Sequence, residues 1–331
     1  LSKLLQVQNL SIEYASPRGV VKAVDNVSFS IGKGEIFGLA GESGCGKSTT
    51  AFGICRLLRP PARLAGGSVV LDGIELTELP DEQFDKLRWS KMSIVLQSAM
   101  NNLNPVLKIR SQLMDAIVAH EPDAGKEAAK RAEQLMRLVD LPADRLDSYP
   151  HELSGGMRQR VVIAMAMAMK PSLVIMDEPT TALDVVVQNG IIRKILELQE
   201  QFGFSILFIT HDLPLMLEMC DRIGIMYAGR LVEIASRQEM KSGPRHPYTQ
   251  GLLHSFPPLY GPKRRLEGIP GHPPDLIRPP GGCRFHPRCA RAMTQCSSRE
   301  PAVLADERGQ VACHLYNEEG LSVEQASAAR E

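Results

Sequence analysis

Residues 41–49 read Gly-Glu-Ser-Gly-Cys-Gly-Lys-Ser-Thr, directly after the apolar run Ile36-Phe-Gly-Leu-Ala40. This G-x-x-x-x-G-K-[ST] pattern between a strand and a helix restricts the chain to an α/β fold in which a buried strand delivers a glycine loop to a helix N-terminus. Such a loop cradles phosphate: Gly41, Ser43, Gly44, Cys45 and Gly46 turn backbone N–H groups inward, and the helix opening at Lys47, Ser48 and Thr49 favours negative charge. Lys47 would reach β- and γ-phosphates, and Ser48 would offer its hydroxyl to Mg²⁺.

Two further segments carry chemistry. Leu173-Val-Ile-Met-Asp177-Glu178 is an apolar strand ending in two carboxylates. Alone this reads equally as a solvated turn; beside a phosphate loop it reads as Asp177 holding a metal through water and Glu178 acting as general base or water-positioner. Leu153-Ser154-Gly155-Gly156-Met157 opens another helix with a hydroxyl and two glycine N–H groups. It is either a capped helix start or a second anion site, and since one loop suffices for one nucleotide, a second site would serve a nucleotide bound on another subunit.

The remaining patterns set the organisation. Leu5–Ile12 and Val24–Ile31 alternate apolar and polar residues, predicting half-buried antiparallel strands. Leu173–Met176 and Ser205–Thr210 are continuous apolar runs, predicting buried parallel strands like Ile36–Ala40. A helical insert is expected at about 98–159, with Ala128, Ala132, Leu135, Met136 and Val139 on one face. Residues 256–282 are dense in proline and glycine and predict an extended linker, so a boundary falls near 255. A cysteine module (283–316) and a polar tail (317–331) complete the division.

Net charge is zero, which gives no overall electrostatic reason to bind nucleic acid. The apolar stretch Val161–Met169 is about half of a membrane span, and the N-terminus lacks the pattern of a secretory signal, so a cytosolic location is expected. In a reducing compartment Cys283, Cys289, Cys296 and Cys313 favour a metal site over disulfides. Four thiolates suit tetrahedral Zn²⁺, although the gaps lack the C-x2-C pairs usual in zinc ribbons, and free structural thiols are the weaker reading because four of seven cysteines gather in about thirty residues.

In their order along the chain, the phosphate loop, Leu153-Ser-Gly-Gly, Asp177-Glu178, Ala182-Leu183-Asp184 and His211 resemble the motifs of an ABC-transporter ATPase subunit over about residues 1–255. The resemblance implies a P-loop ABC ATPase with a RecA-like core, an antiparallel β subdomain and a helical subdomain, binding ATP and Mg²⁺. It further implies that Gln97 touches Mg²⁺ and senses the membrane subunit, and that Asp184 lies at a dimer seam. His211 then contacts the γ-phosphate, and Tyr14 stacks on adenine. Met157 departs from the glutamine commonest there, leaving Ser154 and both glycines.

Arg245-His-Pro-Tyr-Thr-Gln-Gly-Leu-Leu253, the proline-rich stretch and the four clustered cysteines are similar to the C-terminal extension of dipeptide and oligopeptide importer ATPases. That similarity implies a [4Fe-4S] cluster on the four cysteines and a related but different ATPase subunit as partner. Two membrane permease subunits, an extracytoplasmic substrate-binding protein and a peripheral position at the cytoplasmic face of the inner membrane are implied too, with no nucleic acid. Related importers carry oligosaccharides such as cellobiose, or nickel, in place of peptides. Soluble ABC ATPases of DNA repair or translation share the motifs but carry a long coiled-coil insert or two cassettes, whereas this chain has one cassette and a short insert.

Overall fold

A computed structural model describes residues 2–97, 99–181, 183–255 and 268–316. The chain opens with β1 (Lys3–Ser16) and β2 (Gly19–Gly32), neighbours joined across Pro17 and Arg18 and therefore antiparallel. Strand β3 (Ile36–Ala40) runs into the glycine loop and α1 (Lys47–Ile54). Strands β4 (Ala62–Leu71) and β5 (Ile74–Glu75) complete a sheet of order β2-β1-β4-β5. Then come α2 (Asp81–Leu87), β6 (Met92–Val95), α3 (Ile109–Val118), α4 (Gly125–Leu138) and α5 (Gly155–Ala166), followed by β7 (Leu173–Asp177), α6 (Val185–Phe202) and β8 (Ser205–Ile209). The last elements are α7 (Leu213–Met219), β9 (Arg222–Tyr227), β10 (Arg230–Ser236), α8 (Arg237–Ser242), α9 (Pro247–His254) and the hairpin β11 (Val303–Asp306) with β12 (Gly309–Ala312).

Two compact units divide these elements. The first contains residues 1–5, 31–35 and 70–209. Here β6, β7 and β8 pair in parallel, with Ile94 beside Ile175 and Ile175 beside Leu207. Every residue of β7 and β8 is buried, as continuous apolar runs demand of strands covered on both faces. Helix α6 buries Ile191, Ile195 and Leu198, a stripe at helical spacing. Helix α4 likewise buries the predicted face Ala128, Ala132, Leu135 and Met136, and Val139 just beyond it is buried too. The apolar packing of β7 brings Asp177 to the C-terminal end of a parallel strand, where α/β folds build their sites.

The second unit contains residues 6–30, 36–69 and 210–331. Strand β3, buried throughout, pairs in parallel with β9, and β9 pairs antiparallel with β10. Strand β12 then pairs antiparallel with β10 and with β11, so the C-terminal hairpin extends the sheet that carries the phosphate loop. The cysteine-rich segment falls in the same compact unit as the loop. The described part of the expected linker, 268–282, has neither helix nor strand and no buried residue, yet it is bonded to the rest of its unit. The Lys22 N–H donates to the Leu276 carbonyl at 3.1 Å and Arg18 pairs with Asp275 at 2.8 Å. Proline and glycine removed the periodicity without removing the contacts.

Residues 256–267 of that linker, the tail 317–331, Ser98 of the insert and Ala182 of the Ala-Leu-Asp motif lie outside the described residues. Among the described residues no helix is long and apolar enough to cross a membrane.

Candidate functional site

The phosphate loop belongs to the second unit, and its shape follows from its glycines. Gly46, at φ 107°, starts α1, and a Cβ there would collide with the Ala23 carbonyl oxygen, so only glycine satisfies both the left-handed backbone and the close approach. Ser43 and Gly44 are exposed at the tip, while Cys45 and Lys47 turn inward and are buried. The Lys47 ammonium donates to the carbonyls of Gly41 (2.7 Å) and Glu42 (3.0 Å) and lies 3.8 Å from the Cys45 sulfur. Burial pushes the Cys45 thiol above its ordinary range, so it is a neutral wall of the loop.

The hydroxyl of Tyr14 lies 3.4 Å from that of Thr49, which brings the β1 aromatic to the side of the loop. Ser48 and Thr49 are half-buried on the first turn of α1. His211 is exposed in the turn before α7, between buried Thr210 and Asp212, whose carboxylate caps α7 by accepting from the Leu215 N–H at 3.1 Å.

The first unit carries the carboxylates. Asp177 is buried at the end of β7, and Glu178 follows in the left-handed region at φ 47°. A non-glycine residue pays to sit there, and such strain accumulates at functional sites. The Glu178 N–H donates to the Ile209 carbonyl at 2.8 Å, while its carboxylate accepts from Gln97 Nε2 and from the Thr181 hydroxyl, both at 2.9 Å. The structure thus joins two predicted residues, Gln97 and Glu178, and adds Thr181, which the sequence reading missed although it stands three positions on.

Ser154 caps α5, its hydroxyl accepting from the Met157 N–H at 3.3 Å, so the plain reading of that segment as a capped helix start is realised. Ser154 is nevertheless exposed, with Gly155 and Gly156 half-exposed beside it. Gly156 has a packing role as well, since a Cβ there would come within 2.6 Å of Val187 Cγ1. Asp184 caps α6 by accepting from the Val187 N–H at 2.9 Å. Beside it Val185 and Val186 are 70% and 81% exposed.

The four C-terminal cysteines line one cavity of the second unit, together with His246 and Phe285. Tight turns bring them there: the Cys283 N–H donates to the Cys296 carbonyl at 2.9 Å, and short 3-10 turns span His286–Arg288 and Thr294–Ser297. Burial raises the thiols of Cys283, Cys289 and Cys313, the last to about 12, so as free thiols they hold their protons at neutral pH. Among the described residues no three His, Cys, Asp or Glu side chains converge closely enough to hold a metal ion. His286 Nδ1 meets the Cys283 carbonyl at 2.9 Å and His314 Nε2 the Arg299 carbonyl at 2.8 Å.

His246 is the unexpected member of this wall. It is wholly buried, and burial lowers its pKa to about 3, so the ring is neutral. Its Nδ1 accepts from the Tyr248 N–H at 3.0 Å, which puts the ring proton on Nε2. That N–H has no hydrogen-bond partner among the described residues, a cost of about 1–3 kcal/mol for a buried donor.

A strand-delivered phosphate loop, a second capped glycine segment and a strained glutamate after a buried aspartate define a nucleotide-hydrolysing ABC cassette. The ABC transporter family profile matches residues 24–181, and the oligopeptide/dipeptide transporter C-terminal region matches residues 232–296. The chain is 43% identical to the oligopeptide transport ATP-binding protein OppD of Escherichia coli, over 90% of this chain and 89% of that protein. It is 41% identical to the dipeptide transport ATP-binding protein DppD of Bacillus subtilis, over 96% of each. Among solved structures it resembles the ATP-binding cassette MJ0796 in a dimeric post-hydrolysis state with ADP and Pi. That match has TM-score 0.63 and 29% identity and covers 70% of this chain and 98% of the other. The chain belongs to the ATP-binding subunits of ABC transporters, in the branch that carries the oligopeptide/dipeptide C-terminal region, and is an ATPase of that family.

Proposed function

We propose that this chain powers uptake of dipeptides and oligopeptides as the ATP-hydrolysing subunit of an importer, peripheral to the cytoplasmic face of the cell membrane. The observation that carries the reading is the union, in one chain, of the cassette with the oligopeptide/dipeptide C-terminal region along 96% of the length of a dipeptide transport ATP-binding protein. Two permease subunits and an extracytoplasmic substrate-binding protein complete the importer in this reading.

Each residue takes a role its chemistry allows. Lys47 leaves the Gly41 and Glu42 carbonyls to neutralise β- and γ-phosphate charge, while the N–H groups of the loop from Gly41 to Thr49 hold phosphate oxygens. Tyr14, beside Thr49, presents its ring to the adenine. Ser48, Gln97 and Asp177 supply the oxygen ligands that a hard cation prefers and would hold Mg²⁺, which when bound neutralises phosphate charge. Glu178 takes a proton from the attacking water, Gln97 and Thr181 orient its carboxylate, and His211 contacts the γ-phosphate.

The partner is a second, related ATPase subunit. Ser154, Gly155, Gly156 and Asp184 then face the nucleotide of the partner, and the exposed Val185 and Val186 are covered by the pairing. The dimeric state of MJ0796 supports this assignment.

The four cysteines hold a [4Fe-4S] cluster in this proposal, with zinc as the alternative. The support is the donor set: four thiols line one cavity, and thiolate sulfur is the ligand that an iron-sulfur cluster or a zinc ion takes. The orphaned His246 N–H in the same wall supports a sulfur-rich occupant able to accept it.

The test uses the reconstituted importer. Glu178→Gln should lower ATP turnover about 10³-fold while ATP binding persists, and Lys47→Ala should weaken ATP binding itself. Unlabelled dipeptide should compete with uptake, whereas cellobiose or nickel should not. Full turnover by Glu178→Gln would remove its assigned role, and uptake indifferent to peptide would remove the substrate.

A further inference from the structure

Glu42 is an unspecified position of the phosphate-loop motif, yet each of its polar groups is committed. Its carbonyl accepts from Lys47 at 3.0 Å, and its N–H donates to the Tyr248 hydroxyl of α9 at 2.9 Å. Its carboxylate receives both arms of Arg288, at 2.8 and 3.0 Å. Arg288 in turn is anchored on all sides: it donates to the carbonyl of Pro270 at 2.8 Å and to the Tyr227 hydroxyl at 3.3 Å, and its side chain is only 7% exposed. Two parallel charge-assisted bonds fix direction as well as distance, which a single lysine bond would not.

Arg288 precedes Cys289 and closes the short turn His286–Arg288, so its position is set by the wall of the cysteine cavity. Gly41 at φ 149° and Gly44 at φ 77° flank Glu42 and Ser43, and glycine gives a backbone more conformations to lose on ordering than other residues do. Behind it, Tyr227, Tyr248 and Phe285 pack with ring centroids 4.6 to 5.3 Å apart, and Phe285 also lines the cysteine cavity.

We propose that Arg288 is a positioning residue for nucleotide binding: by holding Glu42 it fixes the phosphate loop and the starting pose of Lys47, so that the cysteine-rich segment sets the affinity for a nucleoside triphosphate. This rests on the ATP-binding reading of the loop and on nothing bound at the cysteines. A loop pinned from behind enters binding with its carbonyls and N–H groups already placed, and the ordering cost is met in folding rather than on binding. Saturated turnover, which depends on Glu178, is left unchanged.

The test is equilibrium binding of a fluorescent, non-hydrolysed ATP analogue with Mg²⁺ to the full chain, together with KM and kcat of the assembled importer. Arg288→Ala should weaken binding about tenfold and raise KM for ATP with kcat retained, and Arg288→Lys should recover part of the loss. Glu42→Gln keeps the shape of the side chain and should weaken binding by a similar factor. The double variant should be no worse than either single one, because both remove the same bond. Thermal melts confirm that the variants read are folded, and Glu42→Gln decides the matter if Arg288→Ala is not. Wild-type binding by Glu42→Gln, or losses that multiply in the double variant, would overturn the proposal while leaving the ATP reading in place. Failure of the wild-type chain itself to bind the analogue would overturn both.

Discussion

Glu42 in the phosphate loop and Asp184 at the head of α6 both stand beside segments assigned to phosphate chemistry, but their surroundings differ. Around Glu42 the chain supplies a bidentate arginine, a tyrosine hydroxyl and a bed of aromatic rings. Asp184 caps its own helix, and the next residues, Val185 and Val186, expose apolar side chains to solvent. Aromatic residues are only 5% of the sequence, so gathering Tyr227, Tyr248 and Phe285 behind one loop is a concentrated investment in rigidity. The contrast teaches that the loop is braced by side chains of this chain, whereas the α6 end leaves apolar side chains in solvent, as the proposed pairing with a second subunit requires.

The largest break in that contrast should come from two glycines. Gly46→Ala combines a disfavoured φ of 107° with a backbone collision at the Ala23 carbonyl, and should cost about 3–5 kcal/mol. Gly156→Ala meets only the Val187 side chain, which can shift, and should cost about 1–2 kcal/mol. Urea unfolding midpoints of the two variants measure the difference; equal losses would mean that the loop is no more rigidly framed than the α5 start.

A subtler effect concerns the exposed pair. Val186→Asp should leave the stability of the isolated chain within about 0.5 kcal/mol, since the side chain is already in water. It should nonetheless weaken ATP-dependent pairing with the partner subunit at least tenfold, as read by sedimentation with Glu178→Gln in the background. Loss of stability without loss of pairing would assign these valines to folding instead.

The two regions also differ in how far the sequence announces them. The loop is legible because phosphate binding needs glycines and a lysine at fixed spacing, and β7 is legible because a strand buried on both faces must be apolar throughout. The face of α4 could be read from Ala128, Ala132, Leu135 and Met136 for the same kind of reason. What props the loop could not be read, since Glu42 and Arg288 are 246 positions apart and neither belongs to a periodic pattern. Arg288 beside Cys289 looks like any solvated arginine until the fold brings β12 back onto β10. The boundary expected near 255 rests on proline and glycine, which report the absence of repeating hydrogen bonds, while the bonds of an irregular segment depend on distant partners such as Lys22.

The smallest expected effect lies in a second arginine of the C-terminal segment. Arg284, between Cys283 and Phe285, bonds the Asp25 carboxylate and the Ala228 carbonyl, and Arg230 adds bonds to Asp25 at 3.0 and 3.2 Å. Partial burial pushes the Asp25 carboxyl up, but the two guanidinium groups outweigh it and hold the group below its ordinary value. A carboxylate lowered in the folded state stabilises fully above its unfolded pKa, near 3.8, and loses that contribution as pH falls through the lower folded value. The melting temperature of the wild type should therefore exceed that of Asp25→Asn by a constant margin from neutral pH down to about 5, and the margin should shrink below about 4. A margin independent of pH would mean that Asp25 acts through its shape and hydrogen bonds rather than its charge. The bracing of the C-terminal segment would then rest more on Arg288 and the aromatic cluster, which makes the Glu42 pair a firmer ionic tie than the Asp25 one.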